Sequence, residues 1–171
     1  MVRMTIRALG DDDLDAYIAL RQRGLRECPL AFISSLETDF ASSPEALRPQ
    51  IARAPEWMIF GAFHDSVLAG AVGLYRARHA KAAHRLQLWG MYVAPEHRGR
   101  GLGAGLLEAA IAHARTLSGV AAIDLSVTSA AEAARRLYER AGFVLWGTQH
   151  DALRHEGQVA EEHHLSLRIV R

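Results

Sequence analysis

Between an apolar run that ends at Val93 and a helical pattern that begins at Leu102 stands Pro95-Glu96-His97-Arg98-Gly99-Arg100-Gly101-Leu102-Gly103-Ala104-Gly105. This junction demands a strand that feeds directly into a helix, so it dictates a layered α/β arrangement. Four glycines crowd the first helical turn, where each helical glycine costs about 1 kcal/mol relative to alanine. Glycines at that place let a ligand approach the backbone. The free N–H groups of a turn and helix start form a ready anion site with the helix dipole behind them. The ligand that fits is a phosphate or pyrophosphate, with Arg98 and Arg100 as charge partners.

The rest of the chain supplies the layers. Val2 to Leu9 alternates apolar and polar residues as an opening strand, and Gly10 ends it. Asp11-Asp12-Asp13 is read as the N-cap and dipole partner of a helix carrying Leu14, Tyr17, Ile18, Leu20 and Leu25, closed by Pro29. Leu30 to Ser43 is a mixed loop, too apolar for a linker. A second helix starts at Ser43-Pro44 and runs to about Arg53. Trp57–Phe63 and Val67–Arg78 form a hairpin around His64-Asp65-Ser66, and Leu86–Val93 is nearly continuous in apolar character, as in a strand covered on both faces. Helix follows over Leu102–Leu117, strand over Ala121–Val127 and helix over Ala130–Ala141, with Gly142 as a C-terminal cap. Phe143–Thr148 and Ala160–Ile169 read as two closing strands around a polar loop with His150, Asp151, Arg154, His155 and Glu156. The order β-α-α-β-β-β-α-β-α-β-β gives one domain, residues 1–171, with a mixed, mostly antiparallel sheet of about seven strands flanked by about four helices.

Composition removes several classes of function. At 171 residues the chain has a net charge of +1 and no basic stripe, which argues against nucleic acid and membrane surfaces as partners. One cysteine, Cys28, forbids an internal disulfide. No signal-like or membrane-length apolar run is present, so a cytoplasmic protein is expected. The nine histidines include no metal-ligand spacing, and His163-His164 would point to opposite faces of a strand, so no metal is expected.

Three phosphate-binding patterns compete for the glycine cluster. A P-loop needs Gly-Lys followed by Ser or Thr, and neither stands there. A dinucleotide pattern is met in part by Gly99, Gly101, Ala104 and Asp124, but Asp124 falls inside a strand instead of at its end. The third is Arg98-x-x-Gly101-x-Gly103, followed one strand later by Ala134-x-x-Leu137-Tyr138-x-x-x-Gly142-Phe143. These two patterns, in this order, resemble those of the GNAT superfamily of N-acetyltransferases.

The resemblance implies a sheet splayed between the Leu86–Val93 and Ala121–Val127 strands. The pantetheine arm of acetyl-CoA would pair with backbone at Met91, Tyr92 and Val93, and Gly90 would be a bulge at the opening. The pyrophosphate would sit on Gly99, Arg100, Gly101, Leu102, Gly103 and Ala104 with Arg98 and Arg100. Tyr138 holds the position of the family's general acid, and a strand N–H near Tyr92 or Val93 would serve the oxyanion. The amine acceptor would be held between the Cys28–Phe40 region and the loop from His150 to Gln158.

Two departures stand out. The central strand has no carboxylate, where many relatives place a glutamate base, which leaves Glu37, Asp39, His79, His84 or a water chain as candidates. Ala131 stands where the family often has asparagine, with Ser126 or Ser129 as possible polar substitutes toward the pantetheine arm. The leading reading is acetyl transfer from acetyl-CoA to a primary amine in a ternary complex. A CoA-binding sensor without turnover and an NAD-dependent oxidoreductase are the alternatives. Edge strands in such a sheet often pair between subunits, so a homodimer is an expectation.

Overall fold

A computed structural model describes residues 4–170. The expected first strand is found as β1 (Met4–Ala8); Val2 lies outside the described residues. The remaining elements are α1 (Leu14–Glu27), α2 (Pro44–Ile51), β2 (Trp57–His64), β3 (Val67–Arg76), β4 (Arg85–Val93), α3 (Leu102–Thr116), β5 (Ala122–Thr128), α4 (Glu132–Arg140), β6 (Val144–His155) and β7 (Gln158–Arg168). One seven-stranded sheet runs β1-β2-β3-β4-β5-β7-β6. All its pairings are antiparallel except β4 with β5.

Each face of the sheet carries its own core. On one, α3 and Tyr138 of α4 close over Leu86, Leu88, Ile123 and Leu165. On the other, Leu14, Tyr17, Ile18 and Leu20 of α1 and Leu47 of α2 close over Trp57, Ile59 and Tyr92. Leu86, Leu106, Ile123 and Leu165 are fully buried, and each such side chain stabilises the fold by about 1.5–3 kcal/mol. Gly105 stands where α3 crosses β1: a Cβ there would lie 2.3 Å from Ile6 Cδ1. This glycine serves helix-to-sheet packing and not a ligand.

Two local expectations are corrected. Asp13 stands at the N-cap position of α1, but its side chain makes no cap hydrogen bond, and Asp11–Asp13 form a 3-10 turn ahead of the helix. Asp13 reaches back to accept from Gly10 N at 2.9 Å and to pair with Arg7. The supposed polar loop between the last strands is instead the tip of a long hairpin, β6 and β7 turning at Glu156-Gly157 with φ of 47° and 79°. Positive φ at both central residues belongs to a tight two-residue turn that matches strand twist. The register slips between Gln149 and Leu153, where Asp151 adopts φ 52° and pairs with Arg154. Polarity misled here because β6 is the sheet's edge strand and is exposed along most of its length. Trp146 lies on that edge at 68% exposure.

Candidate functional site

The parallel pairing of β4 with β5 extends only from Arg85↔Ala122 to Gln87↔Asp124. Beyond it the strands part, and among the described residues no strand pairs with the β4 edge from Leu88 to Val93 on that side. Arg85 bridges the closed end: its Nε and Nη2 donate to Asp124 at 2.5 Å each, and Nη2 also donates to Ser166. Burial raises the Asp124 carboxyl, but hydrogen bonds from Arg85 and Ser166 outweigh it and hold the group below its ordinary value. Asp124 is therefore structural, which removes the acidic anchor of the dinucleotide pattern.

Gly90 has φ +64°, and the β3–β4 register slips beside it, so β4 carries one extra residue there. The bulge resets which way the strand's side chains point. Trp89 and Tyr92, three apart, both face α1, while Leu88, Met91 and Val93 face α3. The Tyr92 hydroxyl donates to Glu27 at 2.5 Å, and Tyr92 is raised by burial and by that carboxylate. This side chain is committed to α1, which leaves its backbone as the part that faces the opening.

The glycine-rich turn lies at the open end. Arg23 of α1 clamps it by donating to Glu96 at 2.6 and 2.9 Å, which holds the Glu96 carboxyl down at about 2. Gly101 is the residue before α3 and has φ +79°, a left-handed conformation that side chains resist. No acidic side chain occupies the first turn of α3. Among the described residues the amides of Gly101, Leu102, Gly103 and Ala104 have no acceptor, and the first internal bond is Gly105 N to Gly101 O. Gly103 lies against Leu137 of α4, 3.2 Å from a would-be Cβ. Arg98 folds back, Nε donating to Val93 O at 2.8 Å, and Arg100 meets His64 Nε2 at 3.2 Å, so the two arginines flank the turn on different sides.

Tyr138 is 4% exposed, its ring edge-on to Phe143 at 5.9 Å. Its hydroxyl has no protein partner among the described residues, nor is it among the polar atoms sealed from solvent. Burial alone pushes this phenol above its ordinary value, so it carries its proton at neutral pH. Ser129 does not turn toward the opening with its hydroxyl, which accepts from Glu161 N at 3.1 Å and ties the start of α4 to β7.

On the α1 face of the split lies a cleft of about 600 Å³. Its floor is aromatic, with Trp89 between Phe40 and Trp57 at centroid distances of 5.2 and 5.4 Å. The segment 28–40 covers it, held by Thr128 Oγ1 donating to Leu30 O at 2.7 Å and by a buried pair between Arg21 and Asp39 at 2.6 and 2.7 Å. The hairpin tip does not line it; the β7 side is represented by Glu162. Asp39 is thus occupied by Arg21, while Glu37, His79 and His84 are exposed and outside the cleft lining. Sequence reasoning missed Glu162 and His164, which lie beside Thr128 and Ser126 in the β5–β7 register. Ser126 Oγ lies 2.8 Å from His164 Nδ1, and His164 Nε2 lies 4.0 Å from Glu162. The alternation of Ser126 with Thr128 and of Glu162 with His164 was the available sign. Among the described residues no cluster suits a metal ion, and no helix is long and apolar enough to cross a membrane.

Comparison with known proteins bears on all of these parts. The chain is 45% identical over 141 residues to mycothiol acetyltransferase of Propionibacterium freudenreichii subsp. shermanii, an alignment covering 81% of this chain and 42% of that protein. It therefore spans less than half the length of that relative. The acetyltransferase of GNAT family from Streptococcus pneumoniae superposes with a TM-score of 0.85 at 22% identity, over 98% of this chain and 100% of that one. A putative acetyltransferase from Salmonella typhimurium, solved with its cofactor acetyl-CoA, gives 0.83 at 20% identity, over 99% and 95%. A model of the acetyltransferase (GNAT) family matches residues 25–143, from the end of α1 to Phe143. That span takes in the bulged strand, the split, the glycine-rich turn and α4 together, and the chain belongs to the GNAT family of acetyltransferases.

Proposed function

We propose that this chain binds acetyl-CoA in the opening between β4 and β5 and transfers its acetyl group to a primary amine that enters from the aromatic cleft on the α1 face. The observation that carries the reading is the parting of β4 from β5 after three paired residues, next to a run of unpartnered amides at the start of α3. An extended pantetheine arm suits the vacant β4 edge at Met91 and Val93, as a false strand would. The pyrophosphate suits the amides of Gly99 to Ala104, with Arg98 and Arg100 on its flanks. The Salmonella protein of the same fold binds acetyl-CoA, which supports this choice of ligand.

With both substrates in place, the neutral amine attacks the thioester carbonyl. A backbone N–H of β4 near Tyr92 or Val93 meets the developing oxyanion. Tyr138, protonated and without a protein partner, gives its proton to the departing sulfur. Cofactor and acceptor approach from opposite faces of one split, which supports direct attack in a ternary complex over a covalent acetyl-enzyme.

Thermal unfolding with acetyl-CoA, CoA and NAD in parallel tests the reading. A ligand at a hundred times its dissociation constant stabilises by about 2.7 kcal/mol, a shift of roughly 5–10 °C at this size. Shifts with both CoA species and none with NAD are expected. No shift with CoA sinks the reading, and a shift with NAD alone replaces it with the dinucleotide one.

A further inference from the structure

The reaction must remove a proton from the acceptor ammonium, and β4 offers no carboxylate for it. Resting on the function proposed above, we infer that Glu162 of β7 takes this proton. Among the described residues, Glu162 is the one carboxylate that lines the cleft. Of the other acids near the split, Asp39 receives two hydrogen bonds from Arg21 and Asp124 two from Arg85.

Register brings Glu162 to the site. β7 pairs Glu162 with Thr128 and His164 with Ser126, on the part of β5 that has left β4. Their side chains share the face that meets the cleft, and the Glu162 and His164 side chains are 22% and 25% exposed. Partial burial leaves the carboxylate less hydrated than a surface group and so more attractive to an ammonium. Ser126 fixes the His164 ring through Nδ1 at 2.8 Å, and Trp146 stacks on it at 5.3 Å. His164 Nε2 lies 4.0 Å from the Glu162 carboxylate. Gln149 is the β6 residue in register with Glu162.

The step balances as follows. The ammonium gives one proton to Glu162, and the freed lone pair forms the C–N bond at the thioester carbonyl. Collapse breaks the C–S bond, and sulfur takes the Tyr138 proton. The second proton lost by nitrogen restores the phenol, so the net products are the amide, CoA thiol and the one proton held by Glu162, which passes to water.

Two probes of similar size separate proton removal from binding. 2-Phenylethylamine is an ammonium near pH 7 and phenylhydrazine is neutral there, and both suit the wall formed by Phe40, Trp57 and Trp89. Glu162→Gln keeps the shape and removes the base. The expected result is a fall in kcat for 2-phenylethylamine of about 10²-fold or more. Phenylhydrazine turnover should change by less than about tenfold, with the thermal shift by acetyl-CoA intact. Glu162→Asp, as a second variant, should retain part of the amine activity. Equal losses with both nucleophiles, or no loss with the amine, overturn the assignment. Wild-type protein that is stabilised by acetyl-CoA but acetylates neither probe also overturns it, whereas absence of any acetyl-CoA shift defeats the proposed function first.

Discussion

Replacing Asp39 by alanine should cost far more than an ordinary surface substitution. The Arg21 and Asp39 side chains are only 8% and 4% exposed, and Arg21 is held by two hydrogen bonds from Nε and Nη2 to the carboxylate. Removing the carboxylate strands a guanidinium in a site where water is scarce, a change worth about 3–5 kcal/mol. At this chain length each kcal/mol moves Tm by about 2–4 °C, so the expected loss is roughly 6–20 °C. Arg21 retains the faces of Phe40 and Trp89 at 5.4 and 5.3 Å, which places the loss toward the lower end of that range. Urea unfolding of wild type, D39A, R21M and the double variant R21M/D39A measures the coupling directly. The double variant should be more stable than D39A, because no buried charge is left without its partner. A D39A loss below about 1 kcal/mol would mean that water reaches Arg21 through the cleft mouth, and the pair would then behave as a surface ion pair. That outcome would refute the view that this pair pins the segment from Phe32 to Ser43, which has no helix or strand of its own.

Tyr138→Phe should leave stability nearly unchanged, since the hydroxyl has no protein partner, while steady-state release of CoA thiol falls by about 10²-fold at an unchanged KM for acetyl-CoA. Asp124 titrates below the ordinary aspartate value of 3.8 in the fold, so its contribution is complete above that value and is lost as the pH falls through the lower, folded one. Tm measured against pH below about 5 should therefore decline more steeply for wild type than for D124N. Gly73→Ala places a methyl 2.0 Å from the Trp89 indole, so Trp89 must leave its position. The expected reading is a raised KM for the acceptor with the acetyl-CoA thermal shift retained. Gly101→Ala should weaken acetyl-CoA by isothermal titration, because the left-handed conformation before α3 costs a side chain about 1–2 kcal/mol.

The parts of this protein that were legible in its sequence are those whose cause is local. Hydrophobic period marked most of the strands and helices, and the glycines marked the turn before α3, because each of these constraints acts within a few residues; the bulge at Gly90 was expected from the family resemblance. What escaped depended on strand order. Ser43-Pro44 announces α2 by its own chemistry, and Ser43 does accept from Ala46 N at 3.3 Å. Nothing near Asp39 announces Arg21, eighteen positions away. Arg154 and Asp151 read as loop residues because an exposed edge strand needs no apolar face, so periodicity had nothing to report there. Glu162 and His164 lie together beside the split only because β7 inserts between β5 and β6, which sets them opposite Thr128 and Ser126. A strand that entered the sheet one residue out of register would turn both side chains to the opposite face. His163, their neighbour, demonstrates this alternation: it is buried and bonds Thr148 of β6 at 3.0 Å. The place of Glu162 and His164, in the proposed acceptor side, is therefore set by the order and register of the last three strands, and the proposed pyrophosphate site by a turn of about ten residues.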